Sequence, residues 1–247
     1  MTPESLLLAL LFLAAATLYA SVGHAGASAY IAAMALLGLA PEVMRPTALV
    51  LNLFVAAIVV VRFTRAGHLP WRSLIPLVAG SIPAAFIGGG IDLPGELYRP
   101  LVAVVLLAGA WRLATASNPD PDTARRGVPI IAGLLAGAAI GLLAGLTGTG
   151  GGIFLTPLLV LAAWTGTRDA AGLSGAFIGL NSIAGLGGLA VGGGLVLPEP
   201  LPLWIVAVIA GGLIGSWLGA ARFSIVGLRR VLAVVLVLAA AKLVFLP

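Results

Sequence analysis

Long apolar runs, separated by short polar or glycine-rich stretches, follow one another along the whole chain. Five of these segments precede a hydrophilic stretch at 115–127 and five follow it: Ser5–Val22, Ala27–Leu39, Ala48–Val61, Leu74–Ile91 and Leu101–Leu113, then Val128–Thr147, Ile153–Ala163, Ala170–Val191, Leu203–Ala221 and Val231–Phe245. Because roughly 20 apolar residues cross the hydrocarbon of a bilayer, the pattern predicts an all-α integral membrane protein with about eight to ten membrane segments.

The hydrophilic stretch divides the chain into an N-terminal membrane repeat, residues 1–114, and a C-terminal membrane repeat, residues 128–247, with residues 115–127 as the linker. Three pairs of similar stretches occur in the same order in both halves: 23–26 with 148–151, 79–89 with 210–220, and 101–113 with 231–243. Self-similarity of this kind indicates an internal repeat.

Charge in the loops predicts how the two halves are oriented. The loop with Arg62, Arg65 and Arg72 and the linker with its arginines should be cytoplasmic, whereas the loop 192–202 carries only an acidic charge. We therefore predict two inverted-topology repeats in the cell inner (plasma) membrane, a cytoplasmic linker and both termini on the outer side.

A glycine-rich stretch, GLTGTGGGIFLTP at 145–157, interrupts the second half with five glycines in eight residues. Non-helical backbone at membrane depth is tolerated only where protein buries it or where it lines a polar cavity. The matching stretch at 21–27 predicts a second such break. Each is either a loop between two crossing segments or the tip of a re-entrant hairpin, and the sequence leaves both alternatives open.

The helices that follow the two breaks should begin at about Gly26 and Gly151. A helix N-terminus offers unpaired N–H groups and the positive end of a dipole, which suit an anion without any charged side chain. We predict that the two N-termini converge from opposite sides near the midplane, with Asn52 and Asn181 beside them, as inverted repeats do in many secondary transporters.

Composition narrows the possible functions. Hydrophobic residues make up 61% of the 247 residues and charged residues 9%, far below the quarter that is usual in soluble domains. The net charge of +5 comes from arginines between apolar segments, which we interpret as topology determinants rather than as a nucleic-acid surface. There is no cysteine, and we predict no cofactor, no metal site and no enzymatic activity.

The motifs together resemble the sulfite exporter TauE/SafE family of membrane anion transporters. The second half carries GLTGTGGGIFLTP and then AAGLSGAFIGLNSIAGLGG at 170–188, and the first half carries RFTRAGHLPWRSLIPLVAGSIPAAFIGG at 62–89. The resemblance implies a multi-pass carrier of small sulfur-containing or carboxylate anions, sulfite and organosulfonates among them.

The candidate substrate-binding residues are the two breaks and the polar side chains near membrane depth: Gly23, His24, Ala25, Gly26, Ser28, Asn52, Gly148, Thr149, Gly150, Gly151, Gly152, Ser174 and Asn181. His24 is a substrate contact or a proton relay, or alternatively a neutral structural histidine. For the asparagines and hydroxyls, the alternative to donating to an oxyanion is bonding between helices. His68, in a basic loop, is expected to be solvated only.

We predict a secondary transporter that exports a small anion, sulfite or an organosulfonate or other sulfur oxyanion, by alternating access around a midplane site. The alternatives are an anion channel or a carrier of small carboxylates. A remote alternative is an intramembrane serine protease, since 172–175 reads Gly-Leu-Ser-Gly, although both histidines precede that serine. The expected partners are a small anionic substrate and the lipid bilayer, with a homodimer left open and no nucleic acid.

Overall fold

The computed structural model describes residues 2–115, 126–220 and 226–245. The regular secondary structure of these residues is entirely helical: α1 Pro3–Ser21, α2 Ala27–Leu36, α3 Pro41–Arg65, α4 Trp71–Gly90, α5 Gly95–Thr115, α6 Ile130–Thr147, α7 Gly152–Leu161, α8 Thr167–Val191, α9 Leu201–Ala220 and α10 Val226–Phe245. The predicted linker at 115–127 lies largely outside the described residues.

Each of the ten predicted segments coincides with one of these helices, so the predicted all-α membrane class is confirmed. Six helices of the described ranges, α1, α3, α4, α6, α8 and α9, are long and apolar enough to cross a membrane. The largest boundary error is in α3, which begins at Pro41 and ends at Arg65, beyond the apolar run at both ends. Proline suits the first turn of a helix and arginine the last, so the polar residues extend it.

Glycines allow two pairs of helices, α4 with α6 and α9 with α1, to pack with their backbones very close together. The glycines of α4 and α9 occupy corresponding positions in the two halves. A methyl group on Gly80 of α4 would overlap the carbonyl oxygen of Leu134 in α6, and one on Gly211 of α9 would overlap that of Leu13 in α1. Small residues at such positions allow the backbones of membrane helices to approach closely. Gly215 of α9 packs in the same way against the carbonyl oxygen of Thr17 in α1.

The direction of each helix follows from these contacts. In α4 and α6 the pairs ascend together, with Leu77 against Gly137 and Ala85 against Gly145, so the two helices run parallel. The same holds for α1 and α9. Because α3 and α4 are joined by a short loop and run in opposite directions, α4 and α6 run one way and α3 runs the other. Helix α1, and α9 with it, runs in the same direction as α3, because Gly23 just after α1 packs against Ala171, next to Gly172 and the loop that follows α3.

The two ends of the bundle differ in charge. The basic end, where α3 ends and α4 begins, carries Arg62, Arg65 and Arg72. The acidic end, where α3 begins and α4 ends, carries Glu42, Asp92 and Glu96. The indole Nε1 of Trp204, at the start of α9, donates to the carbonyl oxygen of Ser5, which places the start of α1 at the acidic end.

Helices α6 and α7 form a hairpin, with both ends of the pair at the basic end of the bundle. Just before α6, the N–H groups of Arg126 and Gly127 donate to the carbonyl oxygens of Ala163 and Trp164, just after α7, at 3.1 Å in both cases. At 1.5 Å per residue a ten-residue helix such as α7 spans only about 15 Å, half of the hydrocarbon thickness. Helices α1 and α2 correspond to them at the acidic end, since α1 starts there and α2 leads into the start of α3.

Corresponding helices of the two halves make corresponding contacts. Helix α4 packs along α6 as α9 packs along α1, while α3 packs on its counterpart α8 and α5 on its counterpart α10. Helix α1 also runs opposite to α6. This arrangement is compatible with the predicted inverted repeats. It also places α3 and α8 next to the two breaks.

Candidate functional site

Both breaks depend on glycines in left-handed backbone conformations. Gly26 caps α2 with a φ of +101° and Gly151 caps α7 with a φ of +84°. Residues with a Cβ rarely adopt a φ in this range, whereas glycine adopts it readily. The glycines therefore let the chain turn sharply and start a new helix within a few residues.

The two breaks touch each other. The His24 Nε2 atom, in the first break, lies 3.2 Å from the carbonyl oxygen of Gly152 and 2.9 Å from Oγ1 of Thr156 in α7. The same Thr156 hydroxyl lies 2.6 Å from Oγ of Ser174 in α8. A chain of hydrogen bonds thus runs from the first break through α7 to α8, across the boundary between the two halves.

Asn52 and Asn181 lie near the middle of α3 and α8, the two 25-residue helices, and both side chains are fully buried. The Asn52 Nδ2 atom lies 3.4 Å from Oγ of Ser182, and it would be only 2.7 Å from a Cβ atom on Gly150. The contact with Asn52 places Gly150 at mid-height in the bundle, whereas Gly148 lies against Arg45, one turn inside α3.

The buried amides have unused hydrogen-bonding capacity. Oδ1 of Asn52 and both polar atoms of Asn181 have no hydrogen-bond partner among the described residues. Buried polar atoms are rarely left unpaired in folded proteins, because each costs about 1–3 kcal/mol. The unpaired Oδ1 of Asn52 belongs to the amide that lies against Gly150 of the second break, so this amide can accept a further hydrogen bond.

Backbone N–H groups add to these donors. In α7 the first N–H groups that bond within the protein are those of Phe154 and Leu155, which donate to the carbonyl oxygen of Gly151. In α2 they are those of Ala29 and Tyr30, which donate to Gly26. The preceding one or two N–H groups of each helix meet no acceptor in the described part of the chain, as expected for a free helix N-terminus.

Other predicted site residues are occupied within their own break. Ser28 Oγ lies 2.7 Å from the Tyr19 hydroxyl, and Ala25 accepts a 2.6 Å hydrogen bond from the Tyr30 hydroxyl. The hydroxyls of Thr147 and Thr149 lie 2.9 Å apart.

Two of the predicted glycines donate their N–H groups to the preceding helix, Gly23 to Ala20 and Gly148 to Ala144, and pack against the long helices α8 and α3. Gly23 packs against Ala171 of α8, and Gly148 packs against Arg45 of α3. The structure thus brings His24, Gly152, Ser174 and, through Gly150, Asn52 together, while these other residues support the two turns.

The sequence analysis missed Arg45, a residue beside the second break, because all arginines were interpreted only as topology determinants. Its side chain is buried, and Nε donates to the carbonyl oxygen of Gly145 at 2.8 Å, immediately before the second break. The guanidinium group also donates to the last carbonyl oxygens of α4, those of Gly88, Gly89 and Ile91. The sequence offers no local signal of this role, because Arg45 precedes the predicted apolar segment Ala48–Val61.

The sequence analysis also missed Thr156 and misjudged His68. Thr156 lies inside the glycine-rich motif but was not predicted as a site residue, although it connects His24 to Ser174. The prediction that His68 is solvated only is wrong, because its Nδ1 atom lies 3.0 Å from Oδ1 of Asp169 at the start of α8.

Carboxylates occur at the ends of the helices. The acidic side chains in the described ranges lie in loops or in the first turn of a helix: Glu4, Glu42, Asp92, Glu96, Asp169 and Glu199. The centre therefore presents N–H donors, hydroxyls and one imidazole, a set that suits a small anion better than a cation.

A helical bundle with six helices long and apolar enough to cross a membrane, in the described ranges, and with two glycine breaks in contact is typical of a multi-pass membrane protein. The sequence profile described as "Sulfite exporter TauE/SafE" matches residues 7–243. The chain belongs to this family. It is also 38% identical over 248 residues to the "Probable membrane transporter protein y4hK" of Sinorhizobium fredii (strain NBRC 101917 / NGR234), covering 99% of this chain and 100% of that protein. No solved structure gives a significant match.

Proposed function

We propose that this protein is a secondary transporter that exports a small anion, sulfite or an organosulfonate or another sulfur oxyanion, by alternating access around the site between its halves. The observation that carries the proposal is the contact between the breaks. The unpaired amide oxygen of Asn52, whose side chain lies against Gly150, and the unpaired amide of Asn181 in α8 support it. Oxyanions accept several hydrogen bonds, and the free N–H groups and amides supply them. The family description, which names sulfite export, supports this class of substrate.

Export of an anion is favoured by the membrane potential. With the cell interior negative, outward movement of each negative charge is driven by about 2.3 kcal/mol per 100 mV. We place the protein in the cell inner (plasma) membrane with its basic end, at Arg62, Arg65 and Arg72, on the cytoplasmic side, as the positive-inside rule favours. The linker is then cytoplasmic and both termini lie outside.

Binding is tested by thermal stabilisation of the purified protein. Sulfite, sulfate, thiosulfate, sulfoacetate and small carboxylates are compared at equal ionic strength, since screening alone shifts stability. We expect sulfur oxyanions to raise the melting temperature. Stabilisation by carboxylates alone would transfer the proposal to small carboxylates, and the absence of any stabilisation would contradict the anion site.

Transport is tested in proteoliposomes with the variant Asn181→Leu. Leucine removes the unpaired amide but keeps a similar volume, so we expect sulfite efflux to fall at least about tenfold, equivalent to about 1.4 kcal/mol. We expect thermal stability to be unchanged or higher, because an unpaired buried amide is replaced by an apolar group. The matched control is Ser81→Ala, which removes an unpaired buried hydroxyl at the α4–α6 contact and should leave efflux unchanged.

The same vesicles distinguish a carrier from a channel. A carrier shows saturable efflux that external substrate accelerates through exchange, whereas a channel conducts a current that does not saturate. Equal loss of efflux in Asn181→Leu and Ser81→Ala would show that the amide has no special role in the site.

A further inference from the structure

A groove between α3 and α9 lies apart from the transport site. It has a volume of about 440 Å³, and its walls are mainly apolar, formed by Ala57, Ile58 and Val61 of α3 and by Leu213 of α9. Arg62, Arg65 and Ser216 complete the lining. The volume falls in the range of small-molecule sites.

Apolar and charged groups are separated along the groove. Arg62 and Arg65 belong to the last turn of α3 at the basic end, and Ala57, Ile58 and Val61 lie further inside the helix. Neither guanidinium group has an ion pair or a side-chain hydrogen bond with another described residue. Two unpaired positive charges thus lie where an apolar groove reaches the end of a membrane helix.

We propose that this groove binds one anionic phospholipid, with the phosphate at Arg62 and Arg65 and an acyl chain along Ile58, Val61 and Leu213. Charge complementarity selects an anionic headgroup, since arginine forms strong, often bidentate hydrogen bonds with phosphate. Anionic lipids are concentrated in the cytoplasmic leaflet, which is the side where the arginine-rich loop is expected. The apolar walls select a lipid over a free phosphate ion.

The lipid would bridge the two halves of the protein, because α3 belongs to the first half and α9 to the second. Helices α3 and α9 pack directly, with Gly212 against Ile58 and Val55. A lipid bound there would hold this contact together at the cytoplasmic end and stabilise the folded protein.

The experiment compares phosphatidylglycerol with phosphatidylcholine of the same acyl chains, added to the delipidated full-length protein in detergent. We expect phosphatidylglycerol to raise the melting temperature and to remain bound in native mass spectrometry, and phosphatidylcholine to do neither. In the double variant R62Q/R65Q we expect the bound fraction to fall at least fivefold. The control variant Arg72→Gln, in the same basic loop but outside the groove, should bind like the wild type.

A second variant tests the apolar part without touching the charges. Ala57 is exposed and lines the groove, so Ala57→Phe should fill it and displace the lipid while the protein stays folded. If R62Q/R65Q and Ala57→Phe both retained as much phosphatidylglycerol as the wild type does, the proposal would be overturned. Equal stabilisation by inorganic phosphate would show a free-ion site instead. Lipid-independent dimers that Ala57→Phe disrupts would show a protein interface.

Discussion

The first break, between α1 and α2, and the second break, between α6 and α7, share one backbone design. Each ends a long helix, turns through glycines with positive φ and starts a ten-residue helix capped by Gly26 or Gly151. In both, the first N–H groups of the short helix have no acceptor in the described ranges. The likeness is thus one of backbone geometry and of the donors that this geometry exposes.

The side chains of the two breaks differ. The first break contributes an imidazole, because His24 reaches Gly152 and Thr156 of the other half. The second break contributes bare backbone, because Gly150 lies against the amide of Asn52, where a methyl group would overlap Nδ2. The second break is also bonded to a buried cation, Arg45, through Gly145. The two breaks therefore share a backbone design but present different chemical groups.

The contribution of Arg45 to the second break is the largest effect we predict. Arg45→Met keeps the apolar stem but leaves the carbonyl oxygens of Gly145, Gly88, Gly89 and Ile91 without their donor. Hydrogen bonds from a charged donor are worth about 1.5–3 kcal/mol each. The variant also removes the cost of burying the charge, so we expect a net loss of about 4–6 kcal/mol. Denaturant unfolding in mixed micelles measures it.

Arg99 provides the control for that experiment. It lies at the same end of the bundle, is partly exposed, and has no side-chain hydrogen bond in the described part of the chain. Arg99→Met should change stability by less than about 0.5 kcal/mol, as surface substitutions usually do. Similar losses in the two variants would mean that the capping of α4 and Gly145 contributes little.

The sequence predicted the helices and both breaks, because hydrophobic segments and glycine clusters are local signals. It also brought Asn52 and Asn181 to attention, since amides are rare in apolar segments. It could not predict the link from His24 through Thr156 to Ser174, which depends on how the hairpin of one half packs against the other. Arg45 was missed for the same reason, because its partners lie on α4 and α6.

Backbone strain in the breaks is the second largest effect. Gly151→Ala would place a methyl group 2.8 Å from Cγ2 of Ile140 and 3.0 Å from a ring atom of Phe177. A left-handed conformation costs a residue with Cβ about 1–2 kcal/mol, and overpacking adds about 1–3 kcal/mol. We expect a loss of about 2–4 kcal/mol in the same unfolding measurement.

Substitutions at two other glycines distinguish the conformational cost from the overpacking cost. Gly193 has a φ of +75° with no atom within 4 Å of an added Cβ, so Gly193→Ala should show only the conformational part. Gly26→Ala, which meets the buried Tyr30 ring at 2.9 Å, should behave like Gly151→Ala if the breaks are equally packed. A Gly26→Ala cost as small as that of Gly193→Ala would show that the first break is the looser one.

The imidazole of the first break should affect transport more than folding. His24→Gln removes the imidazole but keeps a side chain that can form hydrogen bonds with Gly152 and Thr156. We expect anion efflux to fall about tenfold, equivalent to about 1.4 kcal/mol, with little change in the melting temperature. Proteoliposome efflux and melting curves on the same preparation are the test.

Thr156 tests whether the hydrogen bonds that connect His24 to Ser174 matter for transport. Thr156→Val removes the hydroxyl between them with little change of volume. We expect its efflux to be lower than wild type, as in His24→Gln. Wild-type efflux in both variants would contradict a role for these hydrogen bonds in transport.

The smallest effect concerns the hydroxyl pair that spans the first break. Ser28→Ala removes the partner of the buried Tyr19 hydroxyl, which costs about 1 kcal/mol because that polar group is left unpaired. The double variant Tyr19→Phe with Ser28→Ala should recover most of this loss, since two apolar groups then face each other. If Ser28 instead contacts the substrate, anion efflux stays low in the double variant even though stability recovers. Melting curves and efflux measured on the same preparations decide between a structural hydroxyl and a substrate contact.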